Sequence, residues 1–231
     1  MQRWSLSCLV VTASLAAIAS DANALTISTS SNPADGWRSI APVGDLTGQP
    51  IDAVGLAWEA DHVGWNTSIT FDDSDAAGWH TPVPRDVSRY GGVATNNIWA
   101  DDPQGSGDTP AYFRKTFTLD FEPASGHFGG QLFPQDASNV IDDDVLIYIN
   151  GALVYEDRNG VSHQIPFTDV TAFLQVGENL IAMKAHDVAG LDEHFSLRLE
   201  ILPIPEPSPA LLVALGLAAC ARRVDRAARR C

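Results

Sequence analysis

Residues 142–156 read DDDVLIYINGALVYE, in which two short apolar runs are separated by Asn150-Gly151. An Asn-Gly pair favours a two-residue type I′ turn, because both central positions need a positive φ, which glycine adopts freely and asparagine tolerates. The pattern predicts a β-hairpin that lies inside a sheet and not at its edge. The turn would fix four facing pairs: Ile149 with Ala152, Tyr148 with Leu153, Ile147 with Val154, and Leu146 with Tyr155.

Extended segments dominate the rest of the central chain. Residues 195–201 alternate apolar and polar side chains, which is typical of a half-buried strand. Residues 78–110 carry many prolines and glycines, so little regular structure is expected there. A helical turn is predicted at residues 170–174. The other predicted strands are residues 53–58, 68–71, 111–119, 128–133 and 180–185.

Several short motifs occur in a recognisable order. They are FDDS at residues 71–74 with Trp79, YFRKTF at 112–117, YING at 148–151, FTDVT at 167–171 and GENLIA at 177–182. Their order and spacing resemble the galactose-binding-like modules found beside glycosidase domains and in secreted bacterial proteins. The resemblance implies an all-β fold, a jelly-roll β-sandwich over residues 25–203.

The N-terminal segment has the composition of an export signal. Arg3 precedes an apolar run at residues 6–18, and Ala22-Asn23-Ala24 follows it. This pattern predicts a secretory signal peptide over residues 1–24, cleaved between Ala24 and Leu25.

The C-terminal segment has three parts: Pro205-Glu206-Pro207, an apolar run at residues 210–221, and an arginine-rich tail. It resembles the PEP-CTERM sorting signal, here residues 204–231, of Gram-negative bacteria that make extracellular polysaccharide. The resemblance implies an exosortase partner during sorting, a transient membrane-anchored precursor and a final location on the outer surface or in the extracellular matrix. The apolar run would form a helix of about 18 Å, which is short for a core of about 30 Å. A buried or amphipathic C-terminal helix is the alternative.

Charge and cysteine content narrow the function further. The chain has 14 Lys+Arg and 29 Asp+Glu, a formal net charge of −15, so nucleic acid is excluded as a partner. Cys8, Cys220 and Cys231 all lie in the predicted terminal signals. The exported domain would therefore contain neither a disulfide nor a cysteine nucleophile.

Acidic clusters provide candidate metal ligands. Many modules of the resembled type hold a structural calcium, and Ca²⁺ prefers oxygen ligands in loops. The alternative is that these carboxylates are turn and cap residues, because aspartate bonds readily to nearby backbone amides. No other cofactor is expected. The candidate calcium ligands are Asp72, Asp73, Asp142, Asp143 and Asp144.

Aromatic residues provide candidate sugar contacts. Trp65 and Trp99 lie near predicted loops, where an indole ring can stack on a pyranose, although tryptophans in a sandwich more commonly supply its core. His186-Asp187 and His194 could suggest a metal site or a catalytic dyad, but no nucleophile or metal motif accompanies them. We therefore expect a non-catalytic protein that binds extracellular polysaccharide. The alternatives are a structural or adhesive surface protein without a sugar site, and a hydrolase built on the long loop region.

Overall fold

The structure is a computed structural model that describes residues 24–42, 50–85, 97–101, 110–128, 140–141, 143–161, 163–188 and 193–204. Within these residues there is one short α-helix, α1 (Leu56–Asp61), and three 3₁₀ turns at Pro33–Asp35, Asp75–Ala77 and Thr171–Phe173. The strands are β1 (Leu25–Ser28), β2 (Arg38–Ile40), β3 (Val83–Pro84), β4 (Ile98–Trp99), β5 (Ala111–Leu119), β6 (Pro123–Phe128), β7 (Val140–Ile141), β8 (Asp144–Ile149), β9 (Ala152–Asp157), β10 (His163–Gln164), β11 (Thr168–Asp169), β12 (Gly177–His186), β13 (Phe195–Ser196) and β14 (Arg198–Pro203).

The strands form three antiparallel sheets. The main sheet has the order β2-β5-β12-β8-β9, and the four-stranded sheet has the order β1-β14-β6-β11. The short-stranded sheet has the order β10-β7-β13-β4-β3. The described part of the chain is therefore an all-β sandwich, as the sequence predicts.

A single apolar cluster joins the three sheets. The main sheet contributes Phe113 and Ile181, the four-stranded sheet contributes Phe128 and Leu199, and the short-stranded sheet contributes Phe195. Full burial of a large apolar side chain contributes about 1.5–3 kcal/mol, so this cluster is the main source of stability. The strand predicted at residues 195–201 is divided between β13 and β14, which belong to different sheets, and the polar residue Ser196 is buried. The expected alternation holds from Leu197 onward, where Leu197, Leu199 and Ile201 are buried and Arg198 and Glu200 are less buried.

The central hairpin is confirmed with two differences. Asn150 and Gly151 have φ values of 50° and 85°, as a type I′ turn requires. Ile149 faces Ala152 and Tyr148 faces Leu153 as expected, but Ile147 faces Tyr155 and Leu146 faces Glu156. The predicted pairs beyond Tyr148 are wrong because a β-bulge inserts one extra residue into β9. The hairpin also reaches the edge of the main sheet, since β9 is its last strand.

Residues 50–80 differ most from the sequence prediction. The expected strand at residues 53–58 is instead a turn followed by α1, and residues 68–71 form turns. Backbone carbonyls in this segment are bonded by buried cations of the main sheet, as with Val54 and Ser68, and not by a neighbouring strand. The predicted strand at residues 111–119 and the helical turn near residue 171 are confirmed.

Candidate functional site

The main sheet is covered on both faces. Its second face carries Tyr112, Leu180 and Ala182, which alternate along the strands with residues of the sandwich core. The segment formed by residues 50–80, here called the cap, lies over this face and packs a second apolar cluster against it. The cap contributes four aromatic side chains to this cluster: Trp58, Trp65, Phe71 and Trp79.

Arg114 of β5 is the first of two buried cations that hold the cap. Its guanidinium is 0% exposed, donates to Asp73 Oδ2 at 3.1 Å and to the carbonyl of Ser68 at 2.9 Å, and also bonds the Trp65 carbonyl. The Phe71 ring lies 4.8 Å from the guanidinium carbon. Burial lowers the pKa of Arg114 and the Asp73 carboxylate opposes this shift. The planar guanidinium therefore joins three points of the cap to one strand.

Lys184 of β12 is the second buried cation. Its ammonium donates to the carbonyl of Val54 at 2.7 Å and forms an ion pair with Glu59 of α1. The Tyr112 hydroxyl donates to the same carboxylate at 2.8 Å. Burial raises the pKa of Tyr112, and the charge of Glu59 raises it further. Lys184 and Tyr112 thus fix α1 over the sheet.

A cleft of about 700 Å³ opens where the cap meets β2. Trp58 is held there by ring contacts on the cap and the sheet, with His62 stacked at 4.3 Å and Tyr112 at 4.2 Å between ring centroids. His80 is placed by two backbone hydrogen bonds to Ser39 of β2, at 2.8 and 2.9 Å. The cleft is lined by Ile40, Ala41, Pro42, Trp58, Gly78, His80 and Asp101.

The chemistry of this cleft suits a ligand with both apolar and polar surfaces. Its lining is mainly apolar, and the exposed residues His80 and Asp101 supply an imidazole and a carboxylate. Binding sites for small molecules commonly combine an apolar lining with a few polar groups that fix orientation. A sugar presents hydroxyl groups to such polar residues and C–H groups to the apolar ones.

The two tryptophans predicted to bind sugar lie elsewhere. Trp65 is 4% exposed under the cap, and Trp99 is 0% exposed in the sandwich core, where its ring packs edge-on to Phe113 at 5.9 Å. Neither ring presents a face to a ligand, so the stacking role does not agree with the structure. The cleft residues were missed because Trp58, His80 and Asp101 are about twenty residues apart and form no local motif.

The candidate calcium ligands serve as turn residues and ion-pair partners. Asp72 accepts from the backbone N–H of Ser74 at 3.1 Å, and hydrogen bonding to Ser74 lowers its pKa. Asp73 pairs with Arg114. Asp143 accepts from the N–H of Val188 and Asp144 from that of Gly160, both at 2.8 Å. Asp142 lies outside the described residues. No group of three or more potential metal ligands occurs in the described ranges.

The other predicted features fall in two groups. His186, Asp187 and His194 are all described and are 0%, 2% and 1% exposed, so they form no accessible dyad.

The sorting motif Pro205-Glu206-Pro207 and residues 1–23 lie outside the described residues. Ala24 is exposed and Leu25 begins β1. Across the part of the chain that the structure covers, no helix is long and apolar enough to span a membrane.

Comparisons with known proteins give structural matches alone. No protein-family model matches the chain, and no curated protein sequence matches it. A Bacteroides uniformis β-glucuronidase 2 structure matches over 78% of this chain and 18% of its own, with 16% identity and a TM-score of 0.43. An uncultured Clostridium sp. β-glucuronidase matches over 78% and 29%, with 12% identity and a TM-score of 0.42. A glycosyl hydrolase family 2 member from Bacteroides cellulosilyticus matches over 72% and 20%, with 16% identity and a TM-score of 0.40. The chain thus spans less than a third of the length of these structures.

Proposed function

We propose that this protein is an exported, non-catalytic polysaccharide-binding protein whose sugar site is the cleft between the cap and β2. The observation that carries the proposal is the lining of that cleft, in which Trp58 and neighbouring apolar groups lie beside His80 and Asp101. The sequence motifs that resemble galactose-binding-like jelly rolls support the same class of ligand. The terminal signals support export, exosortase sorting and a final location at the cell surface or in the matrix.

The charge of the chain narrows the ligand class. With a formal net charge of −15 and Asp101 in the cleft, the protein repels strongly anionic polymers. A neutral polysaccharide, or one that carries amino groups, fits this surface. The non-catalytic assignment is part of the proposal, and among the described lining residues of the cleft the ionisable side chains are His80 and Asp101.

The test is a binding titration of the purified protein against a panel of neutral, cationic and anionic polysaccharides, including that of its own host. His80→Ala and Asp101→Asn should each weaken binding about fivefold, since one lost hydrogen bond costs about 1 kcal/mol. Asp169→Asn, which changes an exposed carboxylate on the four-stranded sheet, is the matched control and should bind normally. Adding a chelator should change nothing.

Two results would contradict the proposal. Saturable binding that neither cleft substitution weakens would show that the sugar site lies outside the cleft. Absence of binding to every polymer would leave a structural or adhesive surface protein. A parallel incubation with aryl glycosides tests turnover, and release of sugar that the cleft substitutions abolish would make the protein a hydrolase.

A further inference from the structure

Two strand edges, one from each of the two larger sheets, face one groove. The groove has a volume of about 510 Å³. β1, at the edge of the four-stranded sheet, contributes to one wall, and residues 115–118 of β5 contribute to the other.

The β5 edge is only half covered. β2 pairs with residues 112–114 of β5, and among the described strands none pairs with the following residues on that side. Ser39 of β2 directs its N–H and C=O to His80, so Arg38 and Ile40 direct theirs to β5. Because backbone groups alternate in direction along a strand, Thr116 and Thr118 direct their N–H and C=O groups into the groove.

The β1 edge shows the same arrangement. Thr29 donates its N–H to the carbonyl of Leu197 at 2.9 Å, on the side of β14. By alternation Thr26 and Ser28 direct their backbone groups away from β14. The carbonyl of Ser28 confirms this direction, because it accepts from the Trp37 indole at 2.7 Å. Within the described residues, the N–H and C=O of Thr26 and the N–H of Ser28 have no partner.

The side chains of the two edges, β1 and residues 115–118 of β5, alternate in the same way between the core side and the opposite side. Ile27 and Leu119 belong to the sandwich core, whereas Thr26 and Ser28 on β1, and Thr116 and Thr118 on β5, lie on the opposite faces of their strands. If the two edges pair so that residues on the same face meet, Ile27 and Leu119 stay on the core side. The hydroxyl side chains of the two edges then lie next to each other on the opposite side. Proline and bulges commonly protect strand edges, and these two segments have neither; Lys115 is the one charged residue in them.

Charge also favours association at this groove. The charged residues that line it are Asp35 and Lys115, one of each sign. On a chain with a formal net charge of −15, a locally neutral surface lets a second copy approach without strong repulsion. A surface that carries one charge of each sign is complementary to its own two-fold copy.

We propose that the groove binds a second copy of this chain, with β1 of each copy pairing with the free half of β5 in the other. Because both edges face the same groove, the second copy closes a two-fold dimer and leaves neither of these two edges for a third copy. The main sheet of each protomer then continues into the four-stranded sheet of its partner. This proposal does not depend on sugar binding.

The test measures the molar mass of the purified protein by light scattering over a range of concentrations. The unchanged protein should have twice the mass of one chain, and Thr26→Pro should reduce it to that of one chain. Proline removes the outward N–H of Thr26 and leaves the β1–β14 hydrogen bonds intact. Thr118→Pro should act in the same way from the other edge. Thr26→Val, which keeps the N–H, is the matched control and should remain dimeric.

Hydrogen exchange of the unchanged protein provides a second measurement that needs no variant to fold. The amides of Thr26, Thr116 and Thr118 should exchange more slowly as protein concentration rises, because pairing protects them. A monomer at every concentration would overturn the proposal. Folded proline variants that remain dimeric would also overturn it, and loss of the dimer with Thr26→Pro alone would show that β1 pairs with something other than β5.

Discussion

At the scale of single residues, the cap depends on buried cations that replace strand pairing. Arg114→Met removes the donors that satisfy the Trp65 and Ser68 carbonyls and leaves Asp73 without its partner. Because unsatisfied buried polar groups cost about 1–3 kcal/mol each, we expect the free energy of unfolding to fall by about 3 kcal/mol. Urea denaturation measures this change.

The matched control for Arg114 is Arg158, an arginine whose ion pairs lie at the surface. Arg158 pairs with Asp52 and Glu156, whose side chains are 59% and 53% exposed. Such surface pairs contribute about 0–1 kcal/mol, so Arg158→Met should change stability by less than about 1 kcal/mol. Equal losses in the two variants would show that burial of Arg114 does not matter to the cap.

At the scale of elements, the central hairpin is tied to its neighbours by the turn residue itself. The Asn150 side chain donates to the Phe173 carbonyl and to Asn179 Oδ1, both at 2.9 Å, and accepts from the Leu180 N–H at 2.8 Å. It therefore connects the β8–β9 turn to the 3₁₀ turn and to β12. One side chain serves both the local turn and the order of the strands.

This double role predicts an order of stability among variants of Asn150. Asn150→Gly keeps the turn but loses the three side-chain hydrogen bonds, so it should be destabilised by about 1–3 kcal/mol. Asn150→Ala loses the same bonds and must also adopt a positive φ, which costs about 1–2 kcal/mol more. Thermal or urea unfolding should show that the wild type is the most stable, Asn150→Gly less stable and Asn150→Ala the least stable. If Ala matches Gly, the positive φ does not contribute.

The elements also show what the sequence can and cannot reveal. Turn chemistry and alternation identify the hairpin, β5, β12 and β14, because those signals depend on residues close together in the chain. The bulge in β9 and the path of the cap depend on distant partners, such as Arg114 for the Ser68 carbonyl. Trp65 and Trp99 look like surface aromatics for the same reason, since only the fold shows which side of a loop is buried.

At the scale of the whole molecule, the described tyrosines link stability to alkaline pH. Burial raises the pKa of Tyr155 to about 12, and burial also raises the pKa of Tyr112 and Tyr148. Each folded-state pKa lies above the ordinary value near 10, so the unfolded chain loses these protons first. The stability contributed by the protonated hydroxyls is fully present below pH 10 and is lost as pH rises through the folded-state values.

We therefore expect the urea midpoint to fall steadily between about pH 10 and pH 12, with tyrosinate absorbance appearing together with unfolding. Tyr155→Phe removes one titrating hydroxyl from a strand at the sheet edge, so it should reduce the slope of this fall without shifting its onset. Asp169→Asn changes an exposed carboxylate on the four-stranded sheet and no tyrosine, so it serves as the control with an unchanged slope. The contrary result is tyrosinate that forms at a pH well below that at which the protein unfolds. That result would show that the hydroxyls are accessible in the folded protein, and that burial under the cap and along β9 does not control their ionisation.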